Sequence, residues 1–209
     1  MRPNPLDDAV TFLTRPGWFT SVFWLLLLAA IAIAVLAWRH DPAQRTPRNL
    51  GILGLRILMG TMWWQQTLWK IPPNFGGLQY WMQQEADRAA IALQGALVRD
   101  IVLPNLSVFG PLVYLVELII GVTLLLGLFS RAGAMLGLLM GLNLWLGLYS
   151  ASGEWPWTYM FLVMIQAWFV IDPPGRVLGA DALLRHRGVA RSSAVLSWNE
   201  PGKVSWWRP

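Results

Sequence analysis

The sequence predicts an all-α fold: an integral membrane helical bundle of five transmembrane helices. Three observations predict it. Hydrophobic residues make up 56% of the 209 and charged residues only 13%, and the mean hydropathy is +0.47, far above that of a soluble domain. Apolar runs of about 20 residues, the length that crosses a bilayer as a helix, recur along the chain. Many of the fourteen tryptophans stand near the ends of those runs, where the two membrane–water interfaces would lie.

The same composition removes several kinds of chemistry. The chain has no cysteine, so disulfides, thiolate metal sites, iron–sulfur clusters and cysteine nucleophiles are excluded. The two histidines, His40 and His186, fall in polar stretches; no metal or haem held by this chain is expected. The net charge of +5 reads as basic residues at span ends meeting anionic lipid, with no nucleic acid partner. No serine–histidine–acid set, P-loop, dinucleotide fingerprint or HExxH motif is present.

Each element has its own justification. In residues 1–17, Pro5 with Asp7 and Asp8 suits the first turn of a short helix, lying on the membrane surface. The first span covers residues 18–38; its apolar core exceeds a signal-peptide core and lacks a small-residue cleavage site, so it is retained. A proline-broken linker leads to the second span, residues 50–69. That span contains Arg56 and the cluster Trp63, Trp64, Gln65, Gln66 and Trp69, and ends at Lys70. The loop 71–104 opens on a turn signal, PPNFGG. It continues as a helix lying at the interface, with Tyr80, Trp81 and Met82 as anchors. The third span, within residues 105–131, carries one carboxylate, Glu117, near its middle. A tight turn at Arg131 leads to the fourth span, residues 132–149, whose Gly133, Gly137 and Gly141 share one face and permit close helix approach. The fifth span is residues 157–171. The tail beyond Pro173 is basic and polar, expected to be partly disordered, with Trp206 and Trp207 at its end.

Lysine and arginine counts set the orientation. With the tail in the cytoplasm, the inner side holds ten basic residues and the outer side five, with Arg56 inside the membrane. The N-terminus and the loop 71–104 are then outside and the C-terminus inside.

A carboxylate at the depth of Glu117 needs a partner. At 1.5 Å per residue, Arg56 lies about 9 Å and Glu117 about 18 Å from the inner ends of their spans, a gap that an arginine side chain largely covers. The expected site is therefore an Arg56–Glu117 ion pair, with Asn143 and Gln166 adding hydrogen bonds. Trp63, Trp64, Gln65 and Trp69 form a second candidate group, able to stack on a quinone ring and bond its carbonyls.

Several stretches carry a family resemblance: LRILMGTMWWQQTLWKIPPNFGG, then VLPNLSVFGPLVYLVELIIGVTLLLGLFSRAGAMLG, then DPPGRVLGADALL. They run over residues 50–184 and resemble the DoxX family, nearest to its branch with the small DoxD subunit of thiosulfate:quinone oxidoreductase. The resemblance implies a four-helix membrane core, residues 50–184. One extra N-terminal helix precedes it in residues 1–49, and a basic cytoplasmic tail follows in residues 185–209. It implies a subunit of a quinone-linked oxidoreductase in a bacterial or archaeal cytoplasmic membrane, with quinone as cofactor and other membrane-complex subunits as partners. Arg56 and Glu117 become the catalytic candidates. A sulfur oxyanion needs cations to dock against: Lys70 and Arg99 outside, or Arg131 and Arg176 inside. Two other classes share the expectation: a non-catalytic scaffold or anchor subunit of a larger respiratory or photosynthetic complex, and a small-solute or proton channel around Glu117.

Overall fold

A computed structural model describes residues 4–71 and 75–185. The turn expected at residues 72–74 lies outside them, as does the tail beyond Arg185, with His186, Trp206 and Trp207. Among the described residues the regular structure is helical.

The short helix expected near the N-terminus is α1, Pro5–Thr14, capped by the Asn4 side chain on the Leu6 N–H. It folds back on α2, Trp18–His40, through Phe12 against Phe23, with ring centroids 5.0 Å apart. Thr46 caps α3, Pro47–Gln66, with Pro47 pre-set for the first turn. A single 3₁₀ turn, Leu68–Lys70, follows. Next come α4, Gly76–Arg88, and α5, Ala92–Leu97. A π turn at Val98–Val102 and a 3₁₀ turn at Leu103–Asn105 carry α5 into α6, Leu106–Leu126. The last two long helices are α7, Ser130–Gly147, and α8, Pro156–Ile171.

At the centre is α6, which packs against α2, α3 and α7, while α7 pairs with α8. Small residues allow this. A Cβ on Gly60 would come within 2.8 Å of the Leu125 backbone, so α3 and α6 touch main chain to main chain. Gly133 faces Thr123 of α6, and Gly137 and Gly141 face Gln166 and Val163 of α8, so the glycine face of α7 is a packing face. One core cluster joins Met59, Trp63, Ile120, Leu124, Ala134 and Phe169, from α3, α6, α7 and α8. A second joins α1 and α2 to the outside of α3 and α6 through Phe12, Phe19, Phe23, Trp64 and Leu125.

The outer surface is apolar. Leu25, Leu28 and Ile31 of α2, Leu58 of α3, Leu112 and Leu115 of α6, Leu139 of α7 and Phe161 and Trp168 of α8 are all exposed. Apolar surface on that scale calls for lipid or protein around it. Two helices among the described residues are long and apolar enough to cross a bilayer: Trp18–His40, and the continuous Ala92–Leu126. The shorter α8 is also apolar over Trp157–Ile171.

The helix expected in the loop 71–104 is present as α4, and one face of it packs on the bundle. Leu78, Met82, Glu85 and Ala86 of α4 are buried against the bundle, and the Ala90 N–H donates to the Leu146 carbonyl at 2.8 Å. Tyr80 stays exposed, but Met82 is a core residue. The spacing 78, 82, 85, 86 is an apolar helical stripe, and it faces protein.

Candidate functional site

The buried polar groups divide into two clusters at opposite ends of the bundle. At one end, Glu117 accepts two hydrogen bonds from the Lys70 ammonium, one of them 2.6 Å long. Both side chains are almost fully buried. The expected Arg56–Glu117 pair is therefore corrected: the partner of Glu117 is Lys70. The reason is local. Helix α3 stops at Gln66, and the 3₁₀ turn folds Lys70 back over the bundle instead of out to the interface. The Lys70 Nζ also stands 4.3 Å from the Trp69 ring centroid, a cation–π contact.

This pair forms part of the wall of a cavity of about 470 Å3, framed by the end of α3, by α4, α6 and α7, and by the start of α8. Trp63, Gln66, Trp69, Trp81, Asn143 and Tyr159 line it, with Glu85, Glu117 and Glu154 supplying carboxylates. Trp63 is buried, and its indole Nε1 donates to no other group among the described residues. Glu85, 7% exposed, accepts from the Asn143 amide at 3.3 Å. Gln94 in turn donates to the Asn143 Oδ1 and carbonyl, both at 3.0 Å. Burial pushes the Glu85 carboxyl up to about 7, against the opposing pull of the Asn143 hydrogen bond and the Lys70 charge. Tyr159 donates to Glu154 at 3.0 Å.

At the opposite end, Arg56 is fully buried and donates to the Leu178 carbonyl at 3.2 Å. Asp181 accepts from the Phe129 N–H at 2.8 Å, the Ser130 N–H at 3.0 Å and the Ser130 hydroxyl at 2.7 Å, capping α7. Its own N–H donates to the Gly127 carbonyl. Gly127 ends α6 in the left-handed region, φ 62°, with the Leu128 N–H closing back on the Thr123 carbonyl. Gly175 donates to the Ser130 hydroxyl oxygen at 2.9 Å, and a Cβ there would collide with Asp181 and the Gly127 carbonyl. This cluster joins the α6–α7 turn to the segment after α8.

The other candidates separate in the same way. Trp63, Trp69 and Asn143 reach the cavity. Trp64, next to Trp63, points to the other side of α3 and packs on Phe19, 4.6 Å between centroids. Gln65 is not in the lining; Gln66 is. Gln166 is buried between α7 and α8 with no hydrogen-bond partner among the described residues, so neither it nor Asn143 bonds the Lys70–Glu117 pair. Arg131 donates to the carbonyls of Val170 and Ile171 at the end of α8. Arg176 is exposed. Arg99 donates to the Ala86 carbonyl at 2.7 Å. Sequence reasoning passed over Glu85, Glu154 and Tyr159. Glu85 did leave a signal: a carboxylate on the apolar stripe of α4.

The two clusters are made by residues of the motifs singled out in the sequence: Arg56, Lys70, Glu117, Gly127, Gly175 and Asp181. Residues 51–150 match the DoxX family model. The matched segment begins within α3 and ends just after α7, so it contains the ion pair, Glu85 and Asn143. Over residues 51–150 the chain is thus similar to the DoxX family, and among the described residues it is helical, with two helices long and apolar enough to cross a membrane. No curated protein matches it, and no solved structure does.

Proposed function

We propose that this chain is a membrane subunit of a quinone-linked oxidoreductase, and that the cavity beside Lys70 and Glu117 receives the quinone head group. One observation carries the reading: a cavity at the end of the bundle that combines aromatic walls with buried polar groups, among them the Glu85 carboxyl that burial pushes up to about 7. These groups fit a quinone. Its ring is flat and apolar, which suits Trp69 and Trp81; its carbonyls accept hydrogen bonds, which suits the side-chain amide of Gln66 in the lining. A bound quinone supplies two-electron, two-proton redox chemistry. This chain's part is to hold the ring, exclude water and exchange a proton at Glu85, whose carboxyl can serve as either donor or acceptor near pH 7. Lys70 keeps Glu117 neutralised at the cavity wall.

The electrons come from a partner subunit. A thiosulfate:quinone type of reaction agrees with the resemblance, but the cavity itself holds three carboxylates against one lysine, a poor seat for a sulfur dianion. Oxyanion oxidation therefore belongs to the partner. The accompanying topology is five spans in a bacterial or archaeal cytoplasmic membrane, N-terminus outside and C-terminus inside, which puts the cavity on the outer side.

A photoreactive azidoquinone tests the reading on the full chain in lipid nanodiscs. The expected adducts fall on peptides from the end of α3, α4 and the start of α8, and unlabelled quinone competes them away. Absence of saturable, competable labelling would remove the quinone reading. The scaffold reading would then gain weight, supported by the Arg56–Asp181 end of the bundle, where the motif residues serve the backbone.

A further inference from the structure

The cavity has an apolar neighbour. A second hollow of about 320 Å3 lies between α6 and α7, and Met82, Glu85, Val113, Met140 and Asn143 line both spaces. The rest of its lining is apolar throughout: Val98, Val102, Phe109, Val116, Leu136 and Leu139. Leu139 is 58% exposed, so the hollow opens on the lateral surface of the bundle, among the apolar side chains that face outward. Two of the five shared residues are Met82 and Met140, unbranched side chains that change rotamer readily.

Resting on the quinone reading, we propose that the α6–α7 groove is the tail channel of the site, so that this chain takes a long-tailed, membrane-dissolved quinone from the side. The argument is one of continuity and size. A cavity of about 470 Å3 has room for a ring and its substituents, while a tail of many isoprene units must leave it. The polar groups of the shared wall, Glu85 and Asn143, stand where the head group would lie, and the groove beyond them is lined by hydrocarbon and methionine side chains alone. A hydrocarbon tail is the ligand chemistry that such a lining takes from the bilayer.

The test uses two probes on the full chain in phosphatidylcholine nanodiscs: a benzoquinone with a ten-isoprene tail and the same ring without a tail. Leu139→Trp narrows the mouth at an exposed position. It is expected to weaken the long-tailed quinone at least tenfold and the tail-less ring less than twofold. Phe109→Trp narrows the groove from α6 with the same selectivity. Leu115→Trp, exposed on α6 outside the groove lining, changes neither affinity. Equal affinities for the two quinones in every groove variant would overturn the channel while leaving the head-group site standing; that result would fit a phospholipid chain as the groove's occupant. Equal loss of both quinones in Leu139→Trp and Phe109→Trp would overturn it as well. No saturable binding of either quinone to the wild type would remove the quinone reading, and the channel with it.

Discussion

The two ends of this bundle bury charge in opposite ways. Around Arg56 and Asp181 the polar atoms are closed in by main chain: Asp181 caps α7, the Arg56 Nη2 holds the Leu178 carbonyl while its Nε and Nη1 make no hydrogen bond among the described residues, and Gly127 and Gly175 leave no room for another atom. Around Lys70 and Glu117 the ion pair, Glu85 and Asn143 surround open volume instead. Burial and charge type do not separate a joint from a site, since both ends have them. What separates them is whether the polar groups are closed in by packed main chain or face a space that a ligand can fill. The joint should therefore answer mutation with stability alone, and the cavity with stability, pH dependence and binding.

The largest effect is expected from breaking the ion pair. Glu117→Ala strands the Lys70 ammonium, 5% exposed, with no counter-charge in contact. Loss of one partner of a buried pair costs about 3–5 kcal/mol, read as a fall in the detergent melting midpoint. The double variant Lys70→Met with Glu117→Leu should recover much of that stability while still losing quinone binding. If the single variant melted as the wild type does, the pair would not bear on the fold at all.

Glu85 comes next. Its carboxyl is raised to about 7 in the folded chain against an ordinary 4.5, so the folded state holds a proton that the unfolded chain gives up between those values. Stability is then fully present below about pH 4.5 and falls as pH rises through 7. The total is roughly 3–4 kcal/mol at about 1.4 kcal/mol per unit of pKa. Glu85→Gln should flatten that part of the profile, measured as melting midpoint from pH 5 to pH 8.5.

How much of this was legible in the sequence depends on the range of the interactions. Helix positions were, because apolar period and length are local properties: the expected spans at 18–38 and 157–171 coincide closely with α2 and α8. The packing face of Gly133, Gly137 and Gly141 was legible for the same reason. The partner of Glu117 was not. Depth arithmetic assumed that a lysine at the end of a span points outward, and a single 3₁₀ turn after Gln66 reverses that. Nor could it show that adjacent tryptophans part company. Trp63 and Trp64 are about 100° apart on a helix, so one reaches the cavity and the other packs on Phe19.

At the joint, Asp181→Ala removes an acceptor from two backbone N–H groups and the Ser130 hydroxyl. The loss is about 1–2 kcal/mol, the scale of a helix cap, with the pH profile unchanged in shape and quinone binding intact. A loss of binding comparable to that of Glu117→Ala would show that the two ends are coupled through α6, and the contrast between them would fail.

The smallest effect tests the scale of the comparison. Arg48 and Asp172 stand 3.8 Å apart with both side chains largely in the open, 76% and 44% exposed. An ion pair of that kind contributes less than about 1 kcal/mol, because both charges stay solvated and long side chains lose rotamer freedom to meet. Arg48→Ala should shift the melting midpoint by no more than about a degree and leave binding unchanged. The Lys70–Glu117 pair differs from it in burial, in contact distance and in the cation. The difference between the two variants therefore measures what burial and close contact together add to an ion pair in this bundle. If the exposed pair cost as much to break as the buried one, desolvation would not be the source of the cavity's sensitivity.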